Sequence, residues 1–136
     1  QKDEKERGDR ALLNFGHTFG HALEKHFTKN GVLLHGEAVA IGMVYASKFS
    51  SNIGVLKKDE CDEIINLISD IGLPISINDI KGEITKEEIL NLMKFDKKRI
   101  NQKNTLILLN GIGEAFINNN ISDKEIIDFF NAENIQ

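Results

Sequence analysis

The segment from Glu6 to Met43 constrains this chain most, because it joins a helix with a polar stripe to a helix that is apolar on every side. On a helical wheel of about 100° per residue, the polar stripe covers an arc of roughly 80°. The stripe consists of Glu6, Arg10, Asn14, His17, His21 and Glu24. Solvated helix faces carry mostly Lys, Glu and Gln, whereas Arg, Asn and His are groups that bind ligands. The pattern therefore predicts the wall of a cleft.

The second half of this segment predicts a buried helix from about Gly36 to Ser51, because its residues are apolar around the whole circumference. The first helix is predicted to run from Asp9, as its cap, to about Phe27. Within it, Gly16 and Gly20 each cost about 1 kcal/mol of helix propensity relative to Ala. A close approach by the second helix would offset this cost, so we expect the two helices to pack together.

A third helix is expected from about Lys57 to Ile71, where apolar residues recur at the spacing of one helical face. Its inner face is predicted to consist of Ile64, Ile65, Leu67, Ile68 and Ile71. Gly72 and Pro74 should end this helix, since Gly favours the left-handed backbone that follows many helices and Pro cannot continue one.

The rest of the chain predicts two more helices and one hairpin. Two residue pairs have the spacing of a capping box and mark the helix starts: Thr85 with Glu88, and Ser122 with Glu125. The last helix should end near Asn131. Between the helices, Thr105 to Leu109 and Glu114 to Ile117 flank the turn residues Asn110 to Gly113, which is typical of a β-hairpin. The predicted fold is mainly α, a multihelical domain with one small β-hairpin.

Composition limits the function classes. The 136 residues are 40% hydrophobic and 28% charged, as in ordinary globular domains. The formal net charge of −4 is spread along the chain, so we expect no nucleic-acid partner. No apolar run reaches the roughly 18 residues of a membrane span, and no signal-peptide layout is present. The single Cys61 can form no intrachain disulfide, and we therefore expect a cytoplasmic protein without membrane contact.

Three histidines are candidate metal ligands. His17 and His21, at i and i+4, share a helix face, but Thr18 follows the first of them, so the zincin pattern with its general-base Glu is absent. A catalytic zinc needs three protein ligands and an open position. His35 stands at the mouth of the second helix, after a turn that folds the chain back. It either joins such a site or merely caps a buried helix.

Three other polar residues of the first helix segment have less specific interpretations. Glu6 and Glu24 either orient the histidines by hydrogen bonds, accept protons, or belong to plain surface. His26 falls about 180° from His17 on the wheel, and we expect it to be solvated.

Two sets of residues could bind an anion. Arg10 beside Asn14 could hold a carboxylate or phosphate, because a guanidinium forks onto two oxygens. Lys97 and Lys98 could also do so, although a Lys pair after a helix usually faces solvent. No G-x-G-x-x-G motif occurs, so the sequence offers no nucleotide fingerprint.

Two segments resemble 3-dehydroquinate synthase: RALLNFGHTFGHALE, from Arg10 to Glu24, and HGEAVAIGM, from His35 to Met43. Asp96-Lys97-Lys98, followed by a hairpin, is similar to a later segment of the same family. The resemblance covers essentially all of residues 1–136 as that family's helical C-terminal domain. It implies that the N-terminal NAD-binding domain is absent from this chain.

The resemblance implies a cytoplasmic, usually homodimeric enzyme of the shikimate pathway. Such an enzyme converts 3-deoxy-D-arabino-heptulosonate 7-phosphate, a phosphorylated sugar acid, to 3-dehydroquinate and phosphate. It uses NAD catalytically and a divalent metal, zinc or cobalt. Oxidation of a hydroxyl, elimination of phosphate, reduction and an aldol closure follow one another.

The resemblance also implies roles for individual residues. The metal ligands would be His17 and His35, and the proton acceptors would be His21 and Glu6. The substrate-binding residues would be Arg10, Leu13, Asn14, His35 and one of Lys97 or Lys98. In the family a glutamate and a lysine from preceding sequence complete the site. We therefore expect this chain alone to be inactive and to hold zinc weakly.

Other functions fit the same residues less closely. A related sugar-phosphate cyclase, such as a 2-deoxy-scyllo-inosose synthase, shares the scaffold and the metal chemistry. Iron-containing polyol dehydrogenases share the two-domain plan without so close a match to the double-histidine block. A helical interaction module without catalysis is the alternative from a different class.

Overall fold

The computed structural model describes residues 17–27, 35–80, 83–96 and 103–135. In chain order these contain α1 (His17–Phe27), α2 (His35–Asn52), α3 (Lys58–Asp70), a single 3-10 turn (Ile77–Asp79), α4 (Lys86–Asp96), β1 (Asn104–Gly111), β2 (Glu114–Ile121) and α5 (Asp123–Ala132). The prediction of a mainly α domain with one hairpin is confirmed. Within the described ranges, no helix is both long and apolar enough to cross a membrane.

Helices α1 and α2 pack at very close range around Gly20. A Cβ atom added at Gly20 would lie 3.1 Å from the carbonyl oxygen of Ala38 and 3.4 Å from the Cα of Val39. A glycine is therefore needed where the two backbones meet, which confirms the expected reason for a poor helix former at this position. Helix α2 is apolar around its circumference and is buried along most of its length, as predicted.

An aromatic cluster joins α1, α2 and α5. The Phe19 ring of α1 lies 6.0 Å from Tyr45 of α2 and 5.8 Å from Phe130 of α5, both edge to face. Phe129 stacks on Phe19 at 6.0 Å and also lies 5.5 Å from Phe49. Aromatic pairs at these separations stabilise a fold by more than the burial of their surface alone. The last helix of the chain is therefore part of the support beneath α1.

The hairpin is longer than predicted. Strands β1 and β2 are antiparallel and eight residues each, and Gly111 pairs with Glu114 across the turn at Ile112 and Gly113. The expected strands ended earlier because the polar residues 118–120 gave no apolar alternation. The strand nevertheless continues past them, because Asn118 pairs with Leu106 and Ile121 pairs with Asn104, with a register shift between these two pairs. The buried Ser50 hydroxyl of α2 accepts a hydrogen bond from the Leu109 N–H at 3.0 Å, which ties the hairpin to the core.

The buried face of helix α3 contains fewer residues than predicted. Ile68 and Cys61 are buried, but Leu67 and Ile71 are 64% and 65% exposed. The prediction of an inner position for these two residues is wrong. Leu67 lies about 100° from Ile68 on the helix, and Ile71 lies beyond the helix end at Asp70, where the backbone has already turned.

Both predicted capping boxes are present. The Thr85 hydroxyl accepts from the Glu88 N–H at 3.1 Å, while the Glu88 carboxylate accepts from the Thr85 N–H at 3.0 Å. Ser122 and Glu125 make the same reciprocal pair, with both bonds at 3.1 Å. These bonds satisfy backbone donors that a helix start leaves unpaired, and they fix the starts of α4 and α5.

Candidate functional site

Helix α1 divides its residues between two faces. One face is packed into the core and consists of Phe19, Ala22, Leu23 and Phe27. Positions 17, 21 and 24 share the opposite face, because residues three, four and seven apart lie on one side of a helix. His21 is exposed and Glu24 is partly exposed on that face. We call positions 17, 21 and 24 the α1 stripe.

A hydrogen bond joins the α1 stripe to the start of α2. The Nδ1 atom of His35, the first residue of α2, lies 2.7 Å from Oε2 of Glu24. The two side chains are 63% and 28% exposed, so the pair stands at the surface and is accessible. The interpretation of His35 as only a helix cap misses this contact, which brings the histidine to the same face of α1 as positions 17 and 21.

The contact suits a metal-binding histidine. A carboxylate that accepts a hydrogen bond from Nδ1–H fixes the proton on that nitrogen and leaves the lone pair on Nε2. This arrangement of carboxylate, imidazole and free nitrogen recurs in histidine ligands of metal ions. The donor chemistry at His35 therefore fits a divalent metal.

The complete predicted site extends beyond the described residues. The described part of helix α1 starts at His17, and six predicted site residues lie outside the described ranges: Glu6, Arg10, Leu13, Asn14, Lys97 and Lys98. Among the residues that the structure does describe, no group of three His, Cys, Asp or Glu side chains is placed to hold a metal ion. The assignment of His17 and His35 as shared ligands, and of the anion-binding residues, stays a prediction.

His26 is not solvated, contrary to the expectation from the wheel. Its Nε2 atom lies 2.8 Å from the carbonyl oxygen of Glu83, and its Nδ1 atom lies 3.7 Å from Oε2 of Glu88. The side chain is only 25% exposed. The segment that leads into α4 covers this side of α1, and a wheel of α1 alone carries no information about it. His26 therefore holds α4 to α1 and lies apart from the α1 stripe.

Two ionisable groups near these helices have altered acidity. The backbone N–H of Thr85 hydrogen-bonds to Glu88 and lowers the pKa of its carboxyl, and the nearby His26 acts in the same direction. Burial raises the pKa of Tyr45, whose hydroxyl oxygen accepts a hydrogen bond from the Ile77 N–H at 2.9 Å. Both groups serve the packing of the domain rather than the α1 stripe.

Sequence reasoning left one contact of the site unassigned. Glu24 had several possible roles, and nothing in its spacing from His17 or His21 singled out His35 as its partner. The available signal was its place on the α1 stripe, seven residues after His17. The choice of partner depends on how α2 is docked, which only the tertiary structure shows.

Two solved structures with a similar fold are a 2-deoxy-scyllo-inosose synthase and a 2-epi-5-epi-valiolone synthase. The 2-deoxy-scyllo-inosose synthase solved with carbaglucose-6-phosphate, NAD⁺ and Co²⁺ is 26% identical, with a TM-score of 0.70, over 85% of this chain and 33% of that one. The 2-epi-5-epi-valiolone synthase ValA from Streptomyces hygroscopicus subsp. jinggangensis 5008, solved with NAD⁺ and Zn²⁺, is 25% identical, with a TM-score of 0.72, over 88% and 32%. The fold is therefore the one that these synthases contain.

Curated relatives narrow the family further. The 3-dehydroquinate synthase of Bradyrhizobium sp. (strain BTAi1) is 42% identical over 137 residues, which cover 97% of this chain and 36% of the relative. That of Mesorhizobium japonicum is 44% identical over 130 residues, covering 94% and 34%. The chain thus spans about a third of the length of the curated relatives it matches.

Residues 1–99 match the family model described as 3-dehydroquinate synthase C-terminal. The chain belongs to this family, and the resemblance seen in the sequence is confirmed. The matched range contains every candidate site residue from Glu6 to Lys98.

Proposed function

We propose that this chain is the metal- and substrate-binding C-terminal domain of a 3-dehydroquinate synthase. The full enzyme would convert 3-deoxy-D-arabino-heptulosonate 7-phosphate to 3-dehydroquinate and phosphate. The observation that carries the proposal is the family match over residues 1–99, which includes both histidine-bearing segments. The other two thirds of the relatives' length would supply most of the NAD site.

The proposed metal ligands in this chain are His17 and His35, with a carboxylate from the rest of the enzyme. The fold neighbours were solved with Co²⁺ or Zn²⁺, and the Nε2 lone pair of His35 fits either ion. When bound, a divalent ion supplies Lewis-acid polarisation of the substrate hydroxyl that is oxidised.

The α1 stripe would provide the polar groups around the substrate. His21 is exposed one helical turn after position 17, so it can accept a proton from a substrate held beside the metal ligands. Glu6 is the second proposed proton acceptor. Arg10 and Asn14 would hold the substrate's anionic groups, with Leu13 alongside and one of Lys97 or Lys98 opposite.

The proposed partners follow from the same family. The substrate is a phosphorylated sugar acid, NAD is the cofactor, and the full-length enzyme would form a homodimer in the cytoplasm. No role in nucleic-acid or membrane binding is proposed, since the net charge of −4 is spread along the chain.

The proposal is tested with the full-length protein. Turnover of 3-deoxy-D-arabino-heptulosonate 7-phosphate is measured with and without NAD and added Zn²⁺ or Co²⁺, in the native protein and in His17→Ala and His35→Ala. We expect phosphate release that needs NAD and metal, and we expect each variant to lose bound metal and activity.

His26→Ala is the matched control, because this histidine is also on α1 but contacts Glu83 instead of the α1 stripe. It should keep its metal. Full activity and metal content in His17→Ala and His35→Ala would refute the proposed site and favour an interaction module.

A related cyclase is the second candidate, favoured by the TM-score of 0.70 to 2-deoxy-scyllo-inosose synthase. That neighbour holds carbaglucose-6-phosphate, so glucose 6-phosphate is the discriminating substrate. The identity of 42% to a 3-dehydroquinate synthase, against 26% to this neighbour, favours the first candidate. Turnover of glucose 6-phosphate alone would reverse this order.

A further inference from the structure

We infer that Glu24 is a positioning residue that fixes the tautomer and the orientation of the His35 imidazole for metal binding. The inference rests on the proposed function and deepens it, since it assigns a role to a residue that touches His35 rather than the substrate. The observation behind it is the 2.7 Å contact between Glu24 Oε2 and His35 Nδ1.

Both residues of the pair lie one helical turn from the close contact between α1 and α2. Glu24 lies one helical turn after Gly20, and His35 lies one turn before Ala38. The Gly20 and Ala38 backbones approach so closely that even a Cβ on Gly20 would lie 3.1 Å from the Ala38 carbonyl oxygen. The packing of α1 on α2 therefore brings the backbones that carry Glu24 and His35 close together, and the hydrogen bond lies one turn away from this contact.

The chemistry of the two groups determines which one donates the hydrogen bond. Glu24 accepts through Oε2, so the neutral imidazole keeps its proton on Nδ1 and presents the Nε2 lone pair. A carboxylate partner also makes the imidazole a stronger ligand, and loss of such a partner typically weakens metal affinity 10- to 100-fold. Glu24 thus acts on the metal through His35.

A mere stability role is a poor explanation of the pair. His35 is 63% exposed, and exposed pairs of this kind contribute little to folding. A role in ligand geometry predicts the reverse pattern, in which removal of Glu24 changes metal binding strongly and unfolding weakly. The two roles are therefore separable by experiment.

The test compares Glu24→Ala, Glu24→Gln and the native residue in the full-length protein. Co²⁺ titrations give the affinity, and the visible absorption of bound Co²⁺ reports its ligand set. We expect Glu24→Ala to bind Co²⁺ about 10- to 100-fold more weakly. Glu24→Gln should lose much less, because the amide oxygen can accept the same hydrogen bond from Nδ1. Band positions should stay unchanged, since the carboxylate is not itself a ligand.

A second measurement needs no metal. Nitrogen NMR shifts of the His35 ring, at a pH where the imidazole is neutral, report which nitrogen carries the proton. We expect an Nδ1–H imidazole in the native protein and a mixture of tautomers in Glu24→Ala. Glu63→Ala on α3 is the matched control, because Glu63 is exposed and lies on another helix. It should change neither the affinity nor the tautomer.

Three results would overturn the inference: native Co²⁺ affinity in Glu24→Ala, an equal loss in Glu24→Gln, or displaced Co²⁺ bands that make the carboxylate a direct ligand. Failure of the proposed function itself looks different. In that case His35→Ala binds Co²⁺ as tightly as the native protein, whatever Glu24 does.

Discussion

The two faces of helix α1 differ in what holds them in place. The packed face carries Phe19 and Leu23, each 1% exposed. It meets α2 closely at Gly20 and meets α5 through the contacts of the Phe19 ring with Phe129 and Phe130. The α1 stripe on the opposite face carries the exposed His21 and the partly exposed Glu24, whose carboxylate contacts His35. One helix thus combines a face packed into the core with a face of polar side chains that solvent can reach.

This difference indicates that contributions to folding stability and to ligand binding come from separate faces of a single helix. Burial of a large apolar side chain contributes about 1.5 to 3 kcal/mol, whereas an exposed polar pair contributes little. The packed face therefore sets the position of the helix, and the α1 stripe is positioned without contributing much itself. Substitutions on the two faces test this division, and their expected effects on unfolding fall from the centre of the packed face to the α1 stripe.

Phe19→Ala should have the largest effect. Phe19 lies within 6.0 Å of the rings of Tyr45, Phe129 and Phe130, so truncation leaves a cavity at the centre of the cluster. We expect a loss of about 3 to 5 kcal/mol in the free energy of unfolding, measured by urea denaturation of the 136-residue chain. The exposed Lys25→Ala, on the same helix, should change it by less than about 0.5 kcal/mol. Equal losses would remove the distinction between the faces.

Gly20→Val should follow, with a loss of about 1 to 3 kcal/mol. The added side chain meets the Ala38 backbone, which cannot rotate out of the way as a side chain can. The usual gain in helix propensity on replacing Gly is therefore outweighed. Gly36→Ala is the control, since a Cβ there has no neighbour within 4 Å, and it should be neutral or slightly stabilising. Thermal and urea unfolding of both variants measure the difference.

Tyr45→Phe should cost about 1 to 2 kcal/mol, because the buried Ile77 N–H loses its acceptor. The pH dependence gives a second readout. Burial raises the pKa of Tyr45 above its usual value of 10.0, so above that pH the unfolded chain loses a proton that the folded chain keeps. Stability from this group is present below pH 10 and is lost as the pH rises. The native chain should therefore lose stability above pH 10 more steeply than Tyr45→Phe, and parallel curves would contradict this.

Local patterns were sufficient to predict much of the fold. The Ser/Thr-x-x-Glu spacing at Thr85 and Ser122 predicts two helix starts from bonds made within four residues. The apolar circumference of α2 requires burial whatever its neighbours are. The poor helix propensity of Gly20 implies a close neighbour, and the Ala38 backbone is that neighbour. Each of these inferences depends on properties of single residues or of residues a few positions apart, which can be read from the sequence.

Features that depend on docking could not be predicted in this way. His26 contacts Glu83, 57 residues away, and no periodicity in α1 encodes that neighbour. Leu67 is apolar yet 64% exposed, because the buried side of α3 is limited by how much of it α2 covers. The bond from His35 to Glu24 also depends on how the helices dock, so candidate residues for the site could be predicted from their pattern but their pairing could not.

The smallest change in unfolding is expected from His21→Ala and His35→Ala in the metal-free 136-residue chain. Both side chains are exposed, so each variant should differ from the native chain by less than about 0.5 kcal/mol. His26→Ala should lose more, about 1 kcal/mol, since its ring is 25% exposed and bonds to the Glu83 carbonyl.

The order of these losses among three histidines is the sharpest test of the difference between the two faces. The chemical change is the same each time, and only the surroundings of the side chain differ. Urea denaturation at neutral pH measures all three variants. A loss above 1 kcal/mol in His35→Ala would mean that the bond to Glu24 holds α2 onto α1, and the α1 stripe would then be part of the scaffold. A loss confined to His26→Ala would show that His21 and His35 contribute little to holding α1 in place, so that substitutions on the α1 stripe can change binding without changing stability.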